Sequence, residues 1–91
     1  MKKLLKFYSK TCGPCKVMSR NLEKLDNAKV EIHEIDIAEE ENNELVDKYK
    51  VRVVPTIIIL SDNEDILAEF KGITSIEKIK ETIDGGQTTV D

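Results

Sequence analysis

The chain has 91 residues, of which 14 are basic and 18 acidic, so its formal net charge is −4. This length suits one domain, and chains longer than about 40 residues commonly bury a core without cross-links. A hydrophobic fraction of 40% excludes collagenous and disordered chains, and the acidic balance argues against a nucleic acid partner, whose phosphates attract clustered Lys and Arg.

The first half of the chain predicts a strand, a helix and a second strand. Residues 4–8 are apolar and aromatic, as in a strand, and residues 14–26 predict a helix because apolar side chains recur at steps of three and four. Residues 30–37 predict the second strand, in which the apolar alternation breaks at His33-Glu34. We expect a β-bulge or a strand end at that break.

The second half predicts a helix, a hairpin and a final helix. Residues 38–49 open with an acidic run, which favours a first helical turn. The largely β-branched run at 56–60 predicts a strand covered on both faces, and a polar turn at 61–65 joins it to a partner strand at 66–71. Thr74 and Glu77 have capping-box spacing, and the helix after them is expected to stop at Gly85-Gly86.

Together these elements predict an α/β fold of order β-α-β-α-β-β-α. The first two strands should be parallel with a right-handed crossover and the last two antiparallel, which makes a four-stranded mixed sheet with helices on both faces. One domain is expected at residues 1–86, with a flexible tail at 87–91. Charges on the hairpin edge favour a monomer. They are Glu64, Asp65, Glu69 and Lys71.

The location of the protein is inferred from its N-terminus and its cysteines. Lys6 interrupts the apolar run that a signal peptide would need, and no later segment approaches about 18 uninterrupted apolar residues. These features predict a cytoplasmic protein with no membrane partner. Cys12 and Cys15 are too close in sequence to be the disulfide framework of a secreted domain, so the pair is interpreted as a site.

The two cysteines are expected to have unequal roles because they lie where the first strand passes into the first helix. Cys15 shares the helix face of Met18 and should point toward the core, whereas Cys12 lies at the cap, where its sulfur meets solvent. Unpaired N–H groups and the helix dipole favour a thiolate there. Cys12 is therefore the candidate nucleophile and Cys15 the resolving thiol of a thiol-disulfide exchange. Pro14 suits an early helical position, and Gly13 leaves room for an approaching disulfide.

A zinc site is the main alternative for this pair. Structural zinc takes four ligands, yet the chain offers two Cys and one His, so a closed site would need a second chain. His33 lies within a strand pattern and is interpreted as a structural residue. No metal and no bound cofactor are expected beyond a redox-active Cys12–Cys15 disulfide.

Three stretches, in order, resemble the thioredoxin superfamily. They are residues 7–16 (Phe-Tyr-Ser-Lys-Thr-Cys-Gly-Pro-Cys-Lys), 48–56 (Lys-Tyr-Lys-Val-Arg-Val-Val-Pro-Thr) and 70–72 (Phe-Lys-Gly). The resemblance implies a minimal, glutaredoxin-sized thioredoxin fold in which the Val54-Pro55 peptide is cis and Pro55 packs beside the dithiol. It also implies that the Val54 backbone pairs with the substrate chain and that Gly72 and Ile73 line the same groove.

The sequence departs from the family pattern at three points. The strand and helix that open thioredoxins proper are absent, Thr11 stands where Trp usually precedes the first Cys, and Lys6 stands where a buried Asp assists the resolving thiol. An ammonium about 5 Å from a thiolate, at an effective dielectric of about 20, contributes roughly 3 kcal/mol, or about two pKa units. We therefore hypothesise that Lys6 stabilises the thiolate and makes the protein more oxidising. The alternatives are a solvent-facing Lys6 and a neutral Lys6 that acts as the base.

The leading functional interpretation is an enzyme that reduces protein disulfides, with thioredoxin reductase or glutathione as electron donor. A glutaredoxin-like enzyme is one alternative, because Lys10 is similar to the Lys that pairs with a glutathione carboxylate in that family. The other alternative is a non-catalytic module that holds a partner in the groove around Pro55.

Overall fold

A computed structural model describes residues 1–26 and 28–85 of the chain. Its elements are β1 (Lys2–Tyr8), α1 (Gly13–Leu22), β2 (Val30–Asp36), a 3-10 turn (Glu40–Asn42) that leads into α2 (Asn43–Lys48), β3 (Thr56–Leu60), β4 (Ile66–Lys71) and α3 (Ile76–Ile83). This is the predicted β-α-β-α-β-β-α order. The predicted domain boundary at residue 86 and the tail at 87–91 lie outside the described residues.

The four strands form one mixed sheet in the order β2-β1-β3-β4. β1 runs parallel to β2, and both β1–β3 and β3–β4 are antiparallel. Because Phe7 pairs with Thr56 and Thr56 pairs with Lys71, the carboxyl ends of β1 and β4 lie beside the start of β3 at one end of the sheet. The chain therefore enters α1, enters β3 and leaves β4 at the same end of the sheet.

Helices cover both faces of the sheet, as predicted. On one face α1 and α3 bury a core that includes Leu4, Met18 and Ile79. On the other face Phe7, Ile58 and neighbouring residues pack with the partly buried side chains of α2. Every residue of β3 is buried, which confirms the strand covered on both faces that its β-branched run predicts.

Two helices are shorter than predicted. α1 ends at Leu22 rather than at residue 26. The N–H groups of Lys24 and Leu25 donate to carbonyls three residues back, at 3.1 and 3.0 Å, so the chain there forms tighter turns than an α-helix. α2 begins late because Asp36 holds the preceding residues in a turn. Its carboxylate accepts the Ala38 N–H at 2.9 Å, and its carbonyl accepts the Asn42 side-chain amide at 2.9 Å.

The bulge expected at His33-Glu34 is absent, so that prediction is wrong. β1 and β2 pair without interruption from Lys2↔Val30 to Tyr8↔Asp36. The apolar alternation of β2, an edge strand, breaks because the buried residues at its two ends lie on opposite faces of the sheet. Val30 packs with α1 and α3, whereas Ile35 packs on the α2 side. The register shift in this sheet lies instead between β3 and β4, at Ile59/Leu60.

The cap of α3 is Ser75 rather than Thr74, which corrects the predicted capping box. The Ser75 hydroxyl accepts the Lys78 N–H at 3.4 Å, while the Thr74 hydroxyl donates to the Gly72 carbonyl at 3.2 Å. The cap therefore lies one residue later than predicted. Glu77 is then the second helical residue rather than the third, where a capping box requires it. The helix stops near Gly85, as predicted, where φ is +83°, a conformation that glycine adopts without strain.

Ser75→Ala is expected to lower the free energy of unfolding by about 1 kcal/mol, because one N-terminal N–H of α3 loses its acceptor. Urea unfolding of the two proteins measures the difference. Thr74→Ser is the matched comparison, because it keeps a hydroxyl at the position that is not the cap. A Ser75→Ala protein as stable as the parent would show that this cap contributes nothing.

Candidate active site

Three chain segments meet at the end of the sheet where α1 begins. They are residues 9–17, which carry the cysteines, residues 50–56, which lead into β3, and residues 71–75, which follow β4. The Gly72 N–H donates to the Pro55 carbonyl at 2.9 Å, and the Thr74 N–H lies 3.3 Å from the Met18 sulfur of α1. The last segment is therefore tied both to the Pro55 loop and to the helix of the cysteines.

Cys12 and Cys15 form a disulfide across the N-terminus of α1, with their Cα atoms 5.2 Å apart. Cys12 is the N-cap residue, and its sulfur accepts the Cys15 N–H at 3.0 Å. Cys12 is partly exposed, whereas Cys15 is only 2% exposed. The structure therefore shows the unequal burial that the helical spacing predicts, and it places a helix N–H on the more exposed sulfur.

Gly13 and Pro14 form the exposed first turn of α1. A Cβ added at Gly13 would meet no protein atom within 4 Å, so packing within the chain does not require glycine there. Thr11 precedes Cys12 as an exposed residue whose hydroxyl lies 3.5 Å from the Ser9 hydroxyl. All three residues border the disulfide on its solvent side.

The Val54-Pro55 peptide bond is cis, as the family resemblance implied. Pro55 is buried and Val54 half-buried, and the Thr56 hydroxyl donates to the Val53 carbonyl at 2.7 Å. This hydroxyl holds the loop before β3, a role that was not predicted from the sequence. Its signal was a hydroxyl residue at the first position of an otherwise aliphatic strand.

Gly72 and Ile73 follow β4 beside this loop. Gly72 has φ +77° and is half-buried, and Ile73 is 59% exposed. The expected groove residues therefore lie at the same end of the sheet as the disulfide. Lys10, also expected there, has a side chain that is 77% exposed and lies 3.9 Å from the Asp36 carboxylate.

Lys6 is the most unusual residue of the site, because it is only 2% exposed. The strand alternation of β1 turns it to the face covered by α1, where its ammonium donates to the Ser19 hydroxyl and lies 3.8 Å from the Glu34 carboxylate. The Tyr8 ring centroid is 5.3 Å away. The alternative of a solvent-facing Lys6 is therefore wrong, because α1 covers its aliphatic stem.

Lys6 and Cys15 line the same small cavity of about 190 Å³. Ser19 and Glu34 also line it, although neither was predicted from the sequence to belong to the site. Two signals were present. Ser19 lies four residues after Cys15 and hence on the same helix face, and Glu34 lies at the break in the β2 pattern.

In residues 1–26 and 28–85, no group of three or more His, Cys, Asp and Glu side chains is placed to hold a metal ion. His33 lies on β2 with its Nε2 3.1 Å from the Glu31 carboxylate. Within the same ranges, no helix combines the length and the apolar character needed to cross a membrane.

Comparison with known proteins agrees with this geometry. Residues 1–85 match the Thioredoxin family model. The chain is 41% identical to the thioredoxin of Bacillus subtilis over 64 residues, which are 67% of this chain and 60% of that protein. It is 33% identical to a Staphylococcus epidermidis thioredoxin over 85 residues, 90% of this chain and 79% of that protein.

Solved structures give the same result. The thioredoxin f of spinach chloroplasts superposes with a TM-score of 0.77 at 31% identity, covering 96% of this chain and 71% of that one. A thioredoxin-2 of the malaria parasite superposes with a TM-score of 0.81 at 26% identity, covering 93% and 82%. The chain spans only 60% of the Bacillus subtilis protein and 45% of the mitochondrial thioredoxin of Mus musculus. On its family match and its relatives, the chain belongs to the thioredoxin family.

Proposed function

We propose that the protein is a thiol-disulfide oxidoreductase that reduces disulfides in other proteins. The observation that carries this proposal is the Cys12–Cys15 disulfide at the N-terminus of α1, with one sulfur partly exposed and the other buried. An arrangement of this kind suits a reversible reaction, because the exposed sulfur is open to a partner and the buried sulfur is held for the second step.

The reaction begins from the reduced dithiol. The Cys12 thiolate attacks one sulfur of the substrate disulfide, which forms a mixed disulfide and expels the other substrate sulfur as a thiolate. Cys15 then loses its proton and attacks the Cys12 sulfur, which re-forms Cys12–Cys15 and releases the second substrate thiolate. Two electrons pass to the substrate, and an external donor must return them. The sulfur atoms carry both electrons, so the cycle needs no bound cofactor.

The residues around the disulfide receive proposed roles from their positions. Val54 and Pro55 present the loop backbone to an extended substrate, and Gly72 and Ile73 extend that surface. Gly13, Pro14 and Thr11 shape the approach to Cys12, and the space beside Gly13 is open, since a Cβ there would have no neighbouring atom within 4 Å.

Lys6 is proposed to tune the reaction as a positioning residue rather than as a catalytic one. Its buried ammonium lies on the cavity that Cys15 also lines, and a positive charge there stabilises a thiolate. Glu34 and Ser19 hold the ammonium in place and offset part of its charge. The reduced form is therefore favoured, which makes the protein more oxidising than a version without this charge.

The electron donor is tested by supplying two systems separately with a disulfide-bonded protein such as insulin. We expect NADPH with thioredoxin reductase to sustain the reaction, whereas glutathione with glutathione reductase sustains it at least about tenfold less well at equal enzyme. Faster turnover with glutathione would instead support the glutaredoxin-like alternative, in which Lys10 binds a glutathione carboxylate. The absence of turnover with either donor would favour the non-catalytic module.

We also infer the setting in which the protein works. A dithiol that must be reduced in each cycle suits the cytoplasm, where thiols are kept reduced. The β4 edge carries the exposed charged residues Glu69 and Lys71, which disfavour edge-to-edge pairing and support a monomer. Sedimentation of the oxidised and reduced protein tests the monomer directly.

A further inference from the structure

The three chain segments that meet beside the disulfide are basic, although the protein is acidic as a whole. The segments 9–17, 50–56 and 71–75 contain five Lys or Arg residues and no Asp or Glu. The rest of the chain then holds 9 of the 14 basic residues and all 18 acidic residues. We name the five side chains the basic rim. They are Lys10, Lys16, Lys50, Arg52 and Lys71.

All five residues of the basic rim are exposed. The positive charge of Lys10 is partly offset by the buried carboxylate of Asp36, which also accepts the Ala38 N–H. The other four form no ion pair with a carboxylate in the ranges 1–26 and 28–85. Their charge is therefore open to solvent and can act on an approaching molecule, and Lys16 lines the same cavity as Cys15.

Each of the three segments also presents one exposed apolar side chain. Val17, Val53 and Ile73 are 38, 48 and 59% exposed. Single exposed hydrophobic residues are normal on a protein surface. Here, however, three of them come from segments that the sheet brings together beside Cys12. The surface thus combines apolar contact with positive charge, as a polypeptide-binding site does.

We propose that the basic rim selects protein disulfides that are flanked by acidic residues. This inference rests on the proposed function and names its substrate class. Asp or Glu beside the target disulfide would meet the five positive side chains, while neighbouring apolar residues contact the three hydrophobic ones. Complementary charge mainly raises the rate of encounter, by about 10- to 1000-fold in favourable cases, and like charge suppresses the wrong partner.

The test uses two synthetic peptides that have the same length and the same disulfide loop, flanked by Glu in one and by Lys in the other. We expect kcat/KM to be about tenfold higher for the Glu peptide at an ionic strength of about 0.01 M. The ratio should fall toward one at about 0.15 M, because the Debye length shortens from about 30 Å to about 8 Å.

Two double variants separate the basic rim from overall charge. Lys16→Glu with Arg52→Glu should invert the preference between the peptides. Lys24→Glu with Lys80→Glu makes the same change in net charge at exposed residues that line a cavity beside Val30, at the opposite end of the sheet, and should keep the preference.

Each other outcome overturns a defined part of the proposal. Equal rates for the two peptides, or equal effects of the two double variants, would overturn selection by the basic rim and leave disulfide reduction intact. A preference for glutathione disulfide over the Glu peptide would assign the positive charge to a small anion instead of a protein segment. If neither peptide is reduced, the proposed function itself fails.

Discussion

Cys12→Ser is expected to lower the rate of protein disulfide reduction by at least about a thousandfold, because a serine hydroxyl is not ionised at neutral pH and is a poor nucleophile. Cys15→Ser should lower turnover to a similar extent but leave the first step intact. It should therefore accumulate a one-to-one mixed disulfide with the substrate, visible by mass spectrometry and released by dithiothreitol. This difference follows from the burial of Cys15 and the exposure of Cys12.

The reduced parent protein is the matched control for both variants, since the Cys12–Cys15 disulfide is then absent from all three proteins. Their unfolding midpoints should agree closely, which separates chemistry from stability. A trapped complex with Cys12→Ser instead of Cys15→Ser would reverse the assigned roles. Unchanged activity in both variants would show that the cysteines do not carry the function.

Lys6→Met is expected to shift the equilibrium with a glutathione or dithiothreitol couple roughly tenfold toward the disulfide. The midpoint of the thiolate titration should rise by about one pH unit, because a charge contribution of about 1.4 kcal/mol is lost. Methionine fills similar space without a charge, so the fold is retained. The expected shift is smaller than that of an isolated ammonium, since Glu34 lies 3.8 Å away and offsets part of the field.

Glu34→Gln provides the opposite prediction. Glu34 has a side chain that is 54% exposed on an edge strand, so its replacement perturbs packing little. Removing its carboxylate should strengthen the field of Lys6 on the sulfur atoms and move both the redox equilibrium and the thiolate titration in the direction opposite to Lys6→Met. A purely structural Lys6 would show no such opposed pair.

Lys24→Met is the matched control, because it removes an exposed ammonium that lies two residues beyond the C-terminus of α1, away from the disulfide. Neither the redox equilibrium nor the titration should change in this variant. If Lys6→Met behaves like Lys24→Met, Lys6 does not tune the dithiol. If Lys6→Met and Glu34→Gln shift the equilibrium in the same direction, the electrostatic account is wrong.

The secondary-structure elements and the different exposure of the two cysteines could be predicted from the sequence, because both depend on local periodicity. The three-residue step from Cys12 to Cys15 at a helix start separates a cap position from a buried face. The run from Thr56 to Leu60, which is β-branched at its first four positions, similarly implied burial on both sides. Helix ends were predicted less well, because they depend on particular hydrogen bonds such as those that Asp36 accepts.

The surroundings of the cysteines could not be predicted in this way, because they depend on contacts between distant parts of the chain. Strand alternation assigns Lys6 to one of two faces, but which helix covers that face depends on how the chain crosses the sheet. The crossover that brings Ser19 onto Lys6, and the pairing that sets Glu34 opposite it, are long-range contacts. The basic rim has the same origin, because its three segments are distant in sequence and meet only where β1, β3 and β4 pair.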